Sequence, residues 1–256
     1  MNPPSGLLAV RAVAPEYEAR ASFLADQLQL EASDSQGDLI LQVGDHLALA
    51  IENSRQHPLH IDFASAKLNW RRQHGGGLSQ PLAKAAGLKS LLKQFEEPWI
   101  VDGTAGLGRD AFMLANWGCR VTMVEQSQVL AWMLEEALAR ADLSVADVCG
   151  RMSLVHGHAE NVLAQLAEVP QVIYLDPMFP DVGRSANVKG ELQILQRLHG
   201  VKVEQQEADQ ALLRTARQFQ HCRVVVKRPS HAPLLSADAP TYQIKGRTTR
   251  FDVYVS

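Results

Sequence analysis

The chain has 256 residues, of which 46% are hydrophobic, and a formal net charge of −3 at pH 7. This length is sufficient for one large core with a small companion domain. Polar or charged residues interrupt every apolar run before the roughly 18 to 20 residues that a membrane-spanning helix needs, which excludes an integral membrane protein. The small negative charge attracts no polyanion globally, so a nucleic-acid partner would require a local basic patch.

Two further features favour a cytoplasmic location. Residues 1–20 lack a basic segment followed by an apolar one, so we expect no secretory signal. Cys119, Cys149 and Cys222 lie far apart and form no C-x-x-C pair. They are therefore predicted to be buried thiols in a reducing compartment, without a metal site.

Residues 1–68 are predicted to form a small α+β domain. The pattern indicates a strand, a helix and a hairpin of two strands, at 7–13, 15–30, 38–43 and 46–52. Gly44 and Asp45 are predicted to form the turn of that hairpin. Nothing in this domain suggests catalysis.

The segment NWRRQHGGG, at residues 69–77, ends in three consecutive glycines. Glycine contributes no side chain for packing, so we predict a glycine-rich linker over residues 69–78. After the linker, Ser79 resembles an N-cap and Pro81 a first-turn residue of a short helix that ends at Gly87.

Residues 79–256 are predicted to form an α/β domain of the Rossmann-like class, because apolar strands and helices alternate from Trp99 onward. Five parallel strands are predicted at 99–101, 120–124, 153–155, 172–175 and 223–226. Helices are predicted at 109–117, 128–141, 159–167, 188–198 and 209–219. Strands at 242–244 and 250–255 predict a terminal antiparallel hairpin.

A glycine-rich turn follows the first of these strands. Asp102 ends the strand, and Gly103, Gly106 and Gly108 precede a helix, so backbone N–H groups can approach a ligand at the helix N-terminus. The spacing G-x-x-G-x-G differs from the dinucleotide pattern G-x-G-x-x-G, which argues against NAD. A carboxylate at Asp102 would repel phosphate but would pair with the α-amino group of a methionine moiety.

The next two strand ends supply further candidates. Glu125 ends the second strand, where nucleoside-binding folds receive the ribose hydroxyls. His158 and Ala159 follow the third strand, where an adenine ring could be flanked.

The fourth strand ends in Asp176-Pro177-Met178-Phe179-Pro180. This sequence has the form of the D/N-P-P-Y/F signature of enzymes that methylate exocyclic amines, with Met178 in place of the second proline. The Asp176 carboxylate and the Pro177 carbonyl could accept both amine hydrogens and orient the lone pair, while Phe179 stacks on the base. We therefore predict Asp176, Pro177 and Phe179 as catalytic residues.

Taken together, these motifs resemble the bacterial ribosomal RNA small subunit methyltransferase J family, which makes N2-methylguanosine in 16S rRNA. The resemblance is carried by WRRQHGGG, DGTAGLGRDAF, GCRVTMVEQ, QVIYLDPMFP, VVVKRP and RFDVY, which begin at residues 70, 102, 118, 171, 224 and 250. It implies the fold of class I S-adenosylmethionine (SAM) methyltransferases, SAM as cofactor, no metal, and a guanosine near the 3′ end of 16S rRNA or the small ribosomal subunit as substrate. It also implies cofactor contacts by Arg109, Asp110, Glu125, Gln126, His158, Ala159 and Asp176.

Four cations are candidates for binding the RNA backbone, namely Arg71, Arg72, Lys227 and Arg228. The target guanine must leave its stack to reach Asp176, which is easiest in a loop. Three alternatives stay open: an adenine-N6 or protein-amide methyltransferase, an NAD-dependent dehydrogenase, and an RNA-binding module without catalysis. The sequence leaves the oligomeric state open.

Overall fold

The computed structural model describes residues 8–30, 38–178, 190–199 and 205–255. The strands are β1 (Leu8–Ala12), β2 (Leu39–Val43), β3 (Leu47–Ile51), β4 (Trp99–Asp102), β5 (Arg120–Glu125), β6 (Met152–His156), β7 (Val172–Leu175), β8 (Arg223–Pro229), β9 (Tyr242–Lys245) and β10 (Thr249–Val255). The helices are α1 (Glu18–Gln27), α2 (Ala66–His74), α3 (Pro81–Ala85), α4 (Leu88–Gln94), α5 (Arg109–Asn116), α6 (Gln128–Ala139), α7 (Ala146–Cys149), α8 (Ala159–Ala164), α9 (Gly190–His199) and α10 (Gln205–Ala216).

The chain divides into two compact units, the first made of residues 1–62, 127–139 and 180–202 and the second of the remainder. This division reflects spatial compactness and not autonomous folding. The predicted domain boundaries, at 1–68, 69–78 and 79–256, therefore stay a prediction.

The first unit is built on a three-stranded sheet in the order β1-β2-β3. β1 pairs with β2 in parallel, and β2 pairs with β3 antiparallel, which confirms the predicted hairpin. Leu8, Leu41 and Leu49 are fully buried on these strands. Consecutive residues of β2 and β3 are buried, so both faces of this sheet are covered.

The second unit contains a seven-stranded sheet in the order β6-β5-β4-β7-β8-β10-β9. The first five strands run parallel, and β10 pairs antiparallel with both β8 and β9. This arrangement confirms the predicted α/β class with its terminal hairpin. The five residues from Ala111 to Ala115 on α5 are fully buried, which explains the continuous apolar run in this helix.

The structure corrects the prediction for residues 69–74, which belong to helix α2 and not to a linker. The local sequence does not reveal the contacts that stabilise this helix. Leu68 is buried, and Arg71 and Arg72 lie in the last turn. The N-cap of α3 is Gln80 and not Ser79. Sequence reasoning also missed α4 and the short α7.

The three cysteines are buried, as predicted, and burial raises the pKa of the Cys119 and Cys222 thiols to about 12. In the part of the chain that the structure describes, no helix is long and apolar enough to cross a membrane. Over the same residues, no group of three or more His, Cys, Asp or Glu side chains could hold a metal ion.

Candidate functional site

The glycine-rich turn connects the end of β4 to the start of α5. Gly106 and Gly108 have φ angles of +55° and +69°, in the left-handed region that favours glycine. The N–H of Gly103 donates to the carbonyl oxygen of Tyr174 at 2.9 Å, which ties the turn to β7. The turn is therefore fixed from both sides and opens toward the carboxyl ends of the parallel strands, where ligands bind in such sheets.

Asp102, the last residue of β4, is a buried acid with only 2% of its surface exposed. Burial raises the pKa of its carboxyl to about 8, although the N–H of Thr104 donates to Oδ1 at 3.1 Å and opposes the shift. A buried carboxyl with a raised pKa loses its proton most readily when a cation binds next to it. This matches the predicted role of pairing with an amino group.

Glu125 ends the adjacent strand β5 and is 4% exposed. Its Oε2 accepts the N–H of Gly106 at 2.8 Å, and its carbonyl oxygen accepts the N–H of Gly157 at 2.9 Å. Glu125 therefore links the glycine turn of β4 to the loop after β6. The structure brings together the two carboxylates that the sequence assigned to the cofactor.

The remaining residues assigned to the cofactor lie around this edge of the sheet. Gln126 is half-buried directly after β5, and Arg109 is half-buried at the first position of α5. His158 is exposed and precedes α8, whereas Ala159 is buried at its first position. Their contacts with a cofactor stay predictions.

Asp110 is the centre of an ionic network. Its Oδ1 accepts a hydrogen bond from Arg71 of α2 at 3.0 Å. Its Oδ2 accepts one from Lys227 of β8 and one from the Tyr174 hydroxyl of β7, both at 2.8 Å. Burial alone would raise the pKa of Asp110, but Lys227 and Arg71 outweigh it and lower the pKa to about 2. Asp110 is thus fully ionised at neutral pH.

Lys227 also donates to Oδ2 of Asp176 at 2.7 Å, so one ammonium group bridges two carboxylates. Burial raises the pKa of Asp176 above its usual value, and the charge of Lys227 works against this rise. The two carboxylates in turn raise the pKa of Lys227, against the effect of burial, and keep it charged. The side chain of Asp176 is 37% exposed, so a substrate can reach it.

The backbone of Asp176 is fixed to the glycine turn, because its N–H donates to Oγ1 of Thr104 at 2.6 Å. Pro177 is buried directly after it, and Met178 is half-buried. Phe179, the third predicted catalytic residue, lies outside the described residues. The structure thus places two of the three beside the turn that begins α5.

The four predicted RNA-binding cations are placed differently from one another. Arg71 donates to Asp110, and Arg72 donates to the carbonyl oxygen of Ser144 at 2.7 Å. Lys227 is held by two carboxylates, and Arg228 is only 5% exposed. The roles of these cations in RNA binding stay predictions, and Lys227 contacts both Asp110 and Asp176.

Sequence reasoning missed Thr104 and Tyr174, and it did not predict the contact between Lys227 and Asp176. A signal for the last pair was present in the strand pattern. β7 and β8 are parallel neighbours with Leu175 opposite Val226, so the residues that follow, Asp176 and Lys227, must lie side by side.

The described residues fit a nucleoside cofactor that carries positive charge. Asp102 is a desolvated carboxyl with a raised pKa, Glu125 ends the adjacent strand, and the left-handed glycines between them admit a ligand close to the backbone. The dehydrogenase alternative would instead require this acidic edge to accept a pyrophosphate.

Comparison with known proteins agrees with this chemistry. Residues 23–256 match a family described as "Putative SAM-dependent methyltransferase". The ribosomal RNA small subunit methyltransferase J of Thioalkalivibrio sulfidiphilus is 41% identical and aligns over 97% of this chain and 98% of that protein. The protein of the same name from Stutzerimonas stutzeri is 38% identical, over 99% of this chain and 97% of its own length. The crystal structure of the SAM-dependent methyltransferase NGO1261 from Neisseria gonorrhoeae superposes with a TM-score of 0.71 and 30% identity, covering 97% of this chain and 95% of that one.

Proposed function

Because the chain belongs to the ribosomal RNA small subunit methyltransferase J family of SAM-dependent methyltransferases, we propose that it methylates the exocyclic N2 amine of a guanosine near the 3′ end of 16S rRNA. SAM is its cofactor, which removes the dehydrogenase alternative. The substrate is 16S rRNA or the small ribosomal subunit, and this substrate implies action in the bacterial cytoplasm.

The observation that supports the proposal most directly is the position of Asp176. Its carboxyl lies at the end of β7, its N–H is bonded to Thr104 in the cofactor turn, and its side chain is partly exposed. An acceptor for an amine is therefore fixed next to the turn that would hold the cofactor. Fixed placement of both reactants can remove about 7 to 11 kcal/mol from the barrier of a bimolecular reaction.

The site favours alignment over strong acid-base catalysis. A guanine N2 amine is a poor nucleophile, because its lone pair is delocalised into the ring. The carboxylate of Asp176 and the carbonyl of Pro177 would each accept one amine hydrogen and direct the lone pair toward the reacting carbon. When bound, SAM supplies an electrophilic methyl group. As the N–C bond forms, the bond from the methyl carbon to sulfur would break, and the amine would lose its proton with or after this step, because a carboxylate is too weak a base to remove it first. The methylated nitrogen is acidic once it is cationic, so the carboxylate of Asp176 can accept that proton.

Lys227 is the residue that would position Asp176 for this task. A carboxyl with a raised pKa is a poorer acceptor when it is protonated, and the ammonium of Lys227 at 2.7 Å stabilises its ionised form. The same ammonium contacts Asp110 in the first turn of α5. Lys227 thus orients the acceptor relative to the turn assigned to the cofactor.

The test is methylation of 16S rRNA and of small subunits purified from cells that lack the gene. Each substrate is incubated with SAM labelled in its methyl group, and the RNA is digested to nucleosides for mass spectrometry. We expect label in N2-methylguanosine. Label in N6-methyladenosine or in ribosomal protein would contradict the guanine assignment, and absence of label in both substrates would contradict the whole proposal.

The variant Asp176→Ala tests the role of Asp176 in the same assay. It should bind SAM within about tenfold of the native affinity, because the carboxyl groups assigned to the amino group and the ribose of SAM, those of Asp102 and Glu125, are unchanged. It should lose turnover. Equal losses in SAM affinity and turnover would contradict a role for Asp176 at the methyl acceptor.

A further inference from the structure

Helix α2 carries a large aromatic side chain in water. Trp70 is 64% exposed, and its ring stacks on His74 with the ring centroids 5.5 Å apart and the planes 21° apart. The exposed part of this ring contributes nothing to the stability of the fold, because only apolar surface removed from water stabilises it, by about 25 cal/mol per Å². Packing in the core therefore does not explain the residue at this position.

The helix that presents Trp70 is anchored on its other sides. Leu68 is 5% exposed, Asn69 donates to the carbonyl oxygen of Ala64 at 2.9 Å, and Arg72 donates to that of Ser144. Arg71, the neighbour of Trp70, donates to Asp110 of the ionic network. Trp70 is thus held on a rigid element that connects directly to the candidate site.

The exposed face of α2 combines this ring with the ammonium of Lys67 and the imidazole of His74. Lys67 and His74 are exposed and lie three residues before and four residues after Trp70, so the three side chains share one face of the helix. The helix sequence, AKLNWRRQH, contains no acidic residue. An aromatic platform beside a cation and a hydrogen-bonding imidazole is suited to unpaired nucleotides, with the base on the ring and the phosphates on the polar groups.

We propose that Trp70 stacks on an unpaired base that flanks the target nucleotide, while Lys67 and His74 contact the adjacent phosphates. This inference rests on the proposed function and specifies how the RNA is held at the same site. Stacking outside the reaction centre stabilises the opened conformation of the RNA that presents the target base.

The experiment compares Trp70→Ala and Trp70→Phe with Phe95→Ala, which removes another aromatic ring, 41% exposed, from the same unit. Binding to an in vitro transcript of the 16S rRNA 3′ domain is measured by fluorescence anisotropy. Trp70→Ala should weaken binding by about 5- to 150-fold, whereas Trp70→Phe and Phe95→Ala should stay within about threefold of the native chain.

The salt dependence separates stacking from charge. Trp70→Ala should leave the slope of log K against log salt unchanged, whereas Lys67→Ala should reduce it by about 0.7. All variants should bind SAM like the native chain, and their circular dichroism should confirm that they fold.

Two results would overturn the inference. Equal binding of the transcript by Trp70→Ala and Phe95→Ala would remove Trp70 from the RNA surface. A defect of Trp70→Ala on assembled small subunits but not on the transcript would assign the ring to a ribosomal protein. In both cases the native chain would still methylate its substrate, which distinguishes these results from a failure of the proposed function.

Discussion

Replacement of Lys227 with methionine tests the positioning role of this residue against the simpler role of a phosphate-binding cation. Methionine has a similar length but cannot donate the hydrogen bonds of 2.7 and 2.8 Å to Asp176 and Asp110. A charge-assisted hydrogen bond stabilises by about 1.5 to 3 kcal/mol. The side chains of Lys227 and Asp176 are 28% and 37% exposed, so water screens part of the interaction and the lower value applies.

About 1.5 kcal/mol corresponds to a roughly tenfold fall in kcat at saturating SAM and RNA. The loss should also depend on pH. Without the ammonium of Lys227 the already raised pKa of Asp176 rises further, so less carboxylate is present in acid. The acidic limb of the rate profile should therefore move to higher pH, and activity should partly recover in base.

The assay is single-turnover methylation from about pH 6 to about pH 9, with SAM affinity measured separately by calorimetry. Lys227→Arg keeps the positive charge, so its acidic limb should lie near that of the native enzyme. A Lys227→Met profile parallel to the native one at every pH would refute the positioning role. A weaker RNA affinity with unchanged kcat would support the phosphate-binding role instead.

Three further predictions concern buried charges. The pKa of Asp102 is about 8, and a bound ammonium favours its ionised form, so SAM binding at pH 7 should release protons. The affinity for SAM should therefore rise with pH up to about pH 8. Calorimetry in buffers of different ionisation enthalpy should detect the proton release, and Asp102→Asn should abolish it. The raised pKa also means that the ligand-free chain should lose stability relative to Asp102→Asn as pH rises from about 4 to about 8. Arg250 and Asp252 form an ion pair at 2.9 Å with 7% and 1% of their side chains exposed, so Arg250→Ala should lower the free energy of unfolding in urea by about 3 to 5 kcal/mol. Arg250→Met combined with Asp252→Leu should cost less, and a larger loss in the double variant would contradict this explanation.

The positions of the sheet strands and of the cofactor turn could be predicted from the sequence because their signals are local. Asp102 and Glu125 end apolar strands, and Gly106 and Gly108 occupy positions where the backbone is left-handed. Each of these features depends on residues within one strand-turn-helix segment. The structure accordingly places both carboxylates at one edge of the sheet.

Helix α2 could not be predicted because its stabilising partners are distant in sequence. Arg71 contacts a residue 39 positions away, and Arg72 contacts one 72 positions away. Locally, three glycines follow the helix, and they led to the prediction of a linker. The bridge from Lys227 to Asp110 spans 117 positions and escapes local reasoning in the same way.

We also expect the charges at the site to favour the cofactor over the product. Asp102, Asp110, Glu125 and Asp176 are four carboxyl groups, and within the described ionic network Lys227 and Arg71 supply two cations. SAM carries a sulfonium, an ammonium and a carboxylate, so its binding adds one net positive charge to this acidic edge. Methyl transfer converts the sulfonium into a neutral thioether, so the product meets the same carboxylates with one positive charge fewer and should bind more weakly.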